Sequence, residues 1–318
     1  MPGWVWIAFN IFVIVMLYID LRVFNRDAHE ISVKEALIWS GVWVGISLLF
    51  GVIIYFWQGS EAGLAFFAGY LIEKSLSVDN IFVFLMIFAY FGIAAKHQRR
   101  ILTWGILGAI VLRAIFIFAG VAILEAFHWM LYVFGAFLIF TAIRMVVQDE
   151  EAVDPTNNPI IKLVKRFIPV TEEFDGEKFF TEKAGQRVAT PLFVTLIMIE
   201  ISDIIFAVDS IPAILAITTD PFLVYSSNIL AILGLRALYF ALAGVMNMFH
   251  YLKYGLAIIL AFVGVKMILS DIWHMPTALA LGVIAVVLVG SIVTSLIWPE
   301  PIYDEEVVKE LKSEAEIT

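Results

Sequence analysis

Long apolar runs alternate with short polar breaks along the whole chain, and this pattern predicts nine membrane-spanning helices. They lie at 3–24, 36–57, 62–93, 101–123, 129–148, 190–216, 222–246, 254–271 and 276–298. Most of these runs match the roughly 20 apolar residues that a helix needs to cross a bilayer. The expected fold class is therefore an all-α polytopic membrane protein. The one long break divides the chain into five helices in 1–148, a loop at 149–189, four helices in 190–298 and an acidic tail at 299–318. Inside that loop NPIIKLVKRFI reads as helix, while FFTEKAGQRVATP reads as a hairpin turning at Ala184-Gly185. The loop is expected to lie as a small cytoplasmic appendage on the membrane face. The first apolar run has neither a basic leader nor a small-residue cleavage site, which predicts a retained helix.

Composition removes the competing classes. Hydrophobic residues make up 62% of the 318 and charged residues only 15%, with a mean hydropathy of +0.96. A soluble domain is about 45–50% apolar, so a water-soluble enzyme, a disordered chain and a disulfide scaffold are excluded. There is no cysteine, hence no disulfide, thiolate metal site or cysteine nucleophile. A net charge of −9 gives no support to nucleic-acid binding; the expected partner is the lipid bilayer.

The charges then set the orientation. Breaks one, three, five and seven and the tail carry 15 of the 20 Lys and Arg residues, whereas the N-terminus and breaks two, four, six and eight carry none. By the positive-inside rule the N-terminus is outside and the C-terminus cytoplasmic. Each outer break has a single acid instead: Glu61, Glu125, Asp220 and Asp271. These read as solvated loop acids that could also concentrate cations at an exit.

Eight charges fall deep inside predicted spans: Glu73, Lys74 and Asp79 in the third, Arg113 in the fourth, Glu200, Asp203 and Asp209 in the sixth, and Arg236 in the seventh. Asp20, Arg144 and Lys266 lie nearer helix ends, where snorkelling accounts for them. Five acids facing lipid would cost on the order of 12–18 kcal/mol. They must therefore face inward, either in ion pairs with Lys74, Arg113 and Arg236 or along a cation or proton path. Glu73 and Asn80, seven apart, share a helix face, but Asp79 lies about 120° from Glu73 and Asp209 about half a turn from Glu200. Either the helices break near Ser75–Ser77 and Ser202–Pro212, as transporter helices do at ion sites, or the acids serve more than one site.

The acid-bearing segments also resemble each other. LIEKS (71–75) matches MIEIS (198–202), and SVDNI (77–81) matches AVDSI (207–211). The second copy has three extra residues between these blocks, including Asp203, so an ungapped alignment pairs Glu73 with Asp203. Downstream, ILG (106–108), LRA (112–114) and AG (119–120) echo ILGLRA (232–237) and AG (243–244), and Arg144-Met145 echoes Lys266-Met267. Helices three to five then match helices six to eight. Three is odd, so the copies cross the membrane in opposite directions, an inverted repeat suited to alternating access.

All five histidines fall in loops or at span edges. The membrane interior therefore offers carboxylates, Asn80, serines and carbonyls, a set that suits hard divalent ions such as Mg²⁺, Ca²⁺ and Mn²⁺, or proton exchange. No phosphate-binding GxxxxGK[ST] motif is present, which leaves gradient-driven exchange as the expected energy source.

At these residues the sequence resembles a known family. GYLIEKSLSVDNIFVF (69–84), ATPLFVTLIMIEISDIIFAVDSIPAI (189–214), and TTDPF with NILAILGLRALYF (218–240) closely resemble the TerC family of integral membrane proteins, most of all its Alx subgroup. The similarity runs from about residue 13 to 298. It implies Mn²⁺ export from the bacterial cytoplasm across the inner membrane, with no prosthetic group and no enzymatic activity. Carried over position by position, Glu73, Asp79, Asn80, Glu200, Asp203 and Asp209 are the acidic-motif residues, and Asp20 stands where the family has a first-helix aspartate. On that reading the metal is held by these six motif residues with Ser210, while Asp20, Lys74, Arg113 and Arg236 are accessory or coupling residues. Arg113 and Arg236 would fill the carboxylates in the metal-free state.

Two other classes compete with this reading. An intramembrane aspartyl protease needs a YD and GxGD pairing, whereas Asp79 sits in SVDN and Asp209 in AVDS. A non-transporting scaffold or metal-delivery partner would carry the same charges, as would an exporter of Ca²⁺ or Mg²⁺.

Overall fold

The computed structural model describes residues 1–24, 33–147, 168–171, 173–183, 185–243, 251–273 and 275–298. Among these it contains ten helices and one hairpin: α1 (Gly3–Phe24), α2 (Val33–Gln58), α3 (Ser60–Tyr90), α4 (Ala95–Ala126), α5 (Met130–Val147), β1 (Phe180–Lys183), β2 (Gln186–Ala189), α6 (Pro191–Leu215), α7 (Pro221–Leu233), α8 (Leu235–Leu242), α9 (Leu252–Ile268) and α10 (Thr277–Ile297). The helical part expected at 158–168 lies almost wholly outside the described residues, as do the acidic tail, His29, His250 and His274.

Every expected span has its helix, and the ends differ where polar residues extend one. α4 starts at Ala95 rather than 101 because Lys96, Gln98, Arg99 and Arg100 are good helix formers that hydropathy does not register. The protein is an all-α polytopic membrane protein. Helices α1, α2, α4, α5, α6 and α10 are each long and apolar enough to cross a membrane, and α7 with α8 makes a seventh span bent by 41°. α3 carries Glu61, Glu73, Lys74 and Asp79 along its 31 residues, and α9 has 17.

The expected breaks are not where the serines and Pro212 suggested. α3 and α6 run without interruption. The hydroxyls of Ser75, Ser77 and Ser202 donate to the carbonyls of Leu71, Glu73 and Met198 one turn back, at 2.6–2.8 Å, so they are absorbed by the helix instead of interrupting it. Pro212 lies in the last turns of α6 and withholds the amide that would donate to the Val208 carbonyl, yet the helix runs on through it to Leu215. The break falls at Gly234 instead. Because α3 and α6 are uninterrupted, their acids are spread over several places.

α7 is the axis of the bundle: every residue from Phe222 to Leu233 is buried, as expected of a helix apolar on all sides. Trp6, Phe9, Phe50, Phe66, Phe222 and Tyr225 pack edge-on or tilted around its first turns. The outward faces of α1, α2, α5 and α10 are apolar and exposed, as at Ile7, Phe56, Phe140 and Val286. That is the surface a bilayer requires. α4 packs on α6, α3 on α7, α3 on α6 and α5 on α9. Asp220, one of the outer acids, caps α7 by accepting from Phe222 N and Leu223 N at 2.8 and 3.2 Å.

The hairpin forms as expected, pairing Phe180 with Ala189 and Lys183 with Gln186 around Gly185, whose φ is +76°. It packs on the start of α4: Phe179 lies beneath Arg100 and against Trp104, and His97 stacks on Phe174. The Thr181 hydroxyl, with Lys178, holds the exposed Asp175 carboxyl below its ordinary range.

α5 and α9 cross backbone to backbone at a pair of glycines. A Cβ at Gly135 would lie 2.7 Å from Ile268 and 2.8 Å from the Gly264 carbonyl, and a Cβ at Gly264 would lie 2.7 Å from the Gly135 carbonyl. Small residues are what allow helices to approach this closely in a membrane. Gly264→Leu is therefore expected to cost about 1–3 kcal/mol, read as a lower unfolding midpoint in detergent. Gly282→Ala, which meets nothing within 4 Å, should leave the midpoint unchanged; equal effects would contradict this view of the crossing.

Candidate functional site

Arg113 projects from the middle of α4 into a buried space between α3, α6 and α7. It is 1% exposed, and the groups around it, Glu73, Asp203, Ser210 and Asn228, are between 0 and 2% exposed. Nη1 donates to Glu73 Oε1, to Ser210 Oγ at 3.1 Å and to Asn228 Oδ1 at 3.3 Å. Nη2 donates to Asp203 Oδ1 at 3.1 Å and Nε to Asp203 Oδ2 at 3.4 Å, a forked contact. Asn228 Nδ2 donates to the other Glu73 oxygen at 2.9 Å. Two carboxylates, a hydroxyl and a carboxamide oxygen from three helices thus close on one guanidinium. Such a group stands only when fully satisfied, because an isolated buried charge costs several kcal/mol.

A second buried arginine has a cage of the same kind. Arg236, just past the Gly234 break, donates from Nη2 to the Asp20 carboxylate at 2.6 Å and to the Asp20 carbonyl at 2.9 Å, and from Nη1 to Thr103 Oγ1 at 3.0 Å. Asp20 is therefore a buried ion-pair partner; the snorkelling expected at a helix end does not occur, because Arg236 offers it a closer partner than the interface. Lys266 is corrected likewise: its ammonium donates to the Ala216 carbonyl at 2.8 Å and caps the C-terminus of α6. Lys74 does the same at the break, donating to the Ala231 carbonyl at 3.2 Å. The turn interrupted after Leu233 leaves that carbonyl without its usual helical donor, and Lys74 Nζ lies 3.0 Å from where a Cβ on Gly234 would stand.

The remaining expected residues lie away from Arg113. Asn80 is on the Glu73 face of α3 about 10 Å further along the axis, buried, with no hydrogen-bond partner for Oδ1 among the described residues. Asp79 is half-buried and turned about 120° from Glu73. Glu200 is pressed against Gly108 of α4, its Oε2 buried without a hydrogen bond among the described residues. Asp209 accepts from Thr141 of α5 at 3.1 Å. Among the described residues no three His, Cys, Asp or Glu side chains converge as a metal centre. Of the seven expected ligands, Glu73, Asp203 and Ser210 meet. Asn228 and Thr103 were missed; the polar triplet Ser226-Ser227-Asn228 inside an otherwise apolar helix was the signal for the first.

The family model described as the integral membrane protein TerC family matches residues 58–301, which includes both arginines and all of these residues except Asp20. STKORF319 of Myxococcus xanthus, an uncharacterized membrane protein, is 54% identical over 296 residues, covering 93% of this chain and 92% of that one. Alx of Escherichia coli K12, described as a candidate membrane-bound redox modulator, is 49% identical over 297 residues, covering 91% and 92%. An uncharacterized membrane protein of Rickettsia bellii is 40% identical over 292 residues, covering 92% and 97%. No solved structure matches the chain.

Removing the central guanidinium strands two buried carboxylates, so Arg113→Gln is expected to cost about 3–5 kcal/mol. Adding Glu73→Gln and Asp203→Asn should recover most of that loss. Asn228→Leu leaves one Glu73 oxygen without its donor, for about 1–3 kcal/mol. Unfolding in mixed detergent micelles measures each; purely additive losses would contradict a coupled cluster.

Proposed function

The chain belongs to the TerC family, and from that premise we propose that it is a secondary transporter exporting Mn²⁺ from the bacterial cytoplasm through the site around Arg113, by proton antiport. The observation that carries this is the convergence of Glu73, Asp203, Ser210 and Asn228 oxygens on one cation deep in the bundle. Four oxygens form a hard donor set, the kind that Mn²⁺, Mg²⁺ and Ca²⁺ take. Arg113 holds these oxygens in the metal-free carrier, which lets the empty site reorient without exposing bare carboxylates, and the arriving ion displaces it. Charge balance favours proton coupling: a divalent ion neutralises the two carboxylates, whereas one guanidinium leaves one negative charge that a proton would cancel.

The proposed path adds Asp79, Asn80, Glu200 and Asp209 as ligands engaged at other stages of the cycle. The packing supports an inverted repeat of helices three to five and six to eight, since α4 on α6 mirrors α3 on α7, while α3 on α6 and α5 on α9 each map onto themselves. The proposed carrier has nine spans, with α7 and α8 as one, and the positive-inside rule puts its N-terminus outside, its C-terminus inside and the loop at 149–189 in the cytoplasm. Family membership favours a transporter over an enzyme. The redox description of the E. coli relative cannot operate here through thiols, because the chain has no cysteine. A scaffold or metal-delivery role has one observation in its favour, the closed ion-pair cluster itself.

Purified protein in proteoliposomes separates these readings. The expected result is ⁵⁴Mn²⁺ flux that responds to an imposed pH gradient, falls at least tenfold in Glu73→Gln and Asp203→Asn, and is competed weakly by Ca²⁺ and Mg²⁺. Asp79→Asn and Asp209→Asn should lower it as well; wild-type flux in both would remove them from the path. Flux no faster than in empty liposomes would favour the scaffold.

A further inference from the structure

Between the two arginine cages lies a cavity of about 10 Å³ lined by both Asp203 and Arg236, with Ala109, Gly105 and other residues of α3, α4, α6 and α8 around it. That is about the room one water needs. Asp203 belongs to the central site, and Arg236 belongs to the cage of Asp20 and Thr103. The cavity therefore adjoins both cages, and the Arg236 guanidinium forms part of its wall.

The two cages share a plan. Each presents carboxylate, hydroxyl and amide-type oxygens to a single guanidinium on an LRA motif, Leu112-Arg113-Ala114 and Leu235-Arg236-Ala237. In the second, the accepting oxygens are Asp20 Oδ2, the Asp20 carbonyl and Thr103 Oγ1, from α1 and α4. Arg236 is 1% exposed and Asp20 4%, so the pair is buried. Arg236 also sits two residues after the break at Gly234, where a change of the 41° bend would move its side chain.

The geometry points to a second cation subsite formed by Asp20 and Thr103, through which a hard divalent ion reaches Asp203, with Arg236 as its tethered occupant and gate. The inference rests on the transport reading for its direction, cytoplasm to central site. When an ion takes the Asp20 carboxylate and carbonyl and the Thr103 hydroxyl, the guanidinium is released and the wall of the cavity opens. Two stations in series, each guarded by an arginine, leave only the small, mostly apolar cavity between one oxygen set and the next.

The absence of cysteine makes this testable in the full-length chain. Ala109→Cys places one thiol on the cavity wall, and its labelling by a hydrophilic maleimide is followed in nanodiscs, where both faces are accessible. Labelling should be slow in that parent and at least fivefold faster with Arg236→Gln. Millimolar Mn²⁺ or Mg²⁺ should then return it toward the parent rate by filling the vacated cage. Adding Asp20→Asn to Arg236→Gln should abolish that protection, although the central site is intact. Unchanged labelling in Arg236→Gln, no protection by either cation, or protection that survives Asp20→Asn would each overturn the proposal. So would equally accelerated labelling of Leu230→Cys, fully buried in α7, which would mean general loosening. Labelling reads occupancy and flux reads transport, so either experiment can fail while the other remains interpretable.

Discussion

Everything at the centre of this protein depends on burying one guanidinium. Arg113 cannot sit at mid-bundle unless its donors are met, and meeting them fixes where α3, α6 and α7 stand relative to α4. The apolar faces that surround it can pack in many registers, because lipid tails and leucine side chains are equally oily. The ion-pair cluster chooses among those registers. Its components come from four helices separated by up to 155 residues in sequence, so the cluster forms only when the bundle does.

The same constraint recurs at lower intensity elsewhere. Lys74 and Lys266 each satisfy a carbonyl at a helix end, and Arg236 takes the Asp20 carbonyl along with its carboxylate. Each of these cations occupies a place that a metal ion or a proton donor could also fill. Within hydrocarbon, a polar group is tolerable only with a partner, and on the proposed function these cations are the stand-ins that hold the oxygen ligands when the ion is absent. Arginine suits that task because its fork matches carboxylates and keeps its charge. The break at Gly234 sets a 41° bend next to the arginine that lines the small cavity.

Much of the fold was legible from hydropathy because the bilayer sets helix length directly. The hairpin at 180–189 was legible from its turn residues and alternation. The positions of the breaks were not: serine and proline are ambiguous inside a helix, since a hydroxyl can bond its own preceding turn, as Ser75, Ser77 and Ser202 do. The need for Glu73 and Asp203 to face inward was legible from cost alone. Their partners were only partly so. Asp20 and Lys266 looked like residues near helix ends, and only tertiary contact shows that Arg236 and the α6 terminus lie within reach. Asn228 escaped notice because an asparagine in a membrane helix carries no charge penalty to draw attention to it. Asp79, Glu200 and Asp209 share their motifs with the central pair, yet uninterrupted helices send them to other neighbours.

The central claim is that the Arg113 cage is where the transported ion binds. A structure of the wild-type protein with Mn²⁺ bound in lipid, located by its anomalous or density signal, tests it most directly. The account predicts the ion between Glu73 and Asp203, with Ser210 or Asn228 oxygen in contact and the Arg113 guanidinium withdrawn. An ion bound elsewhere, with the Arg113–Glu73–Asp203 cluster still closed, would contradict it.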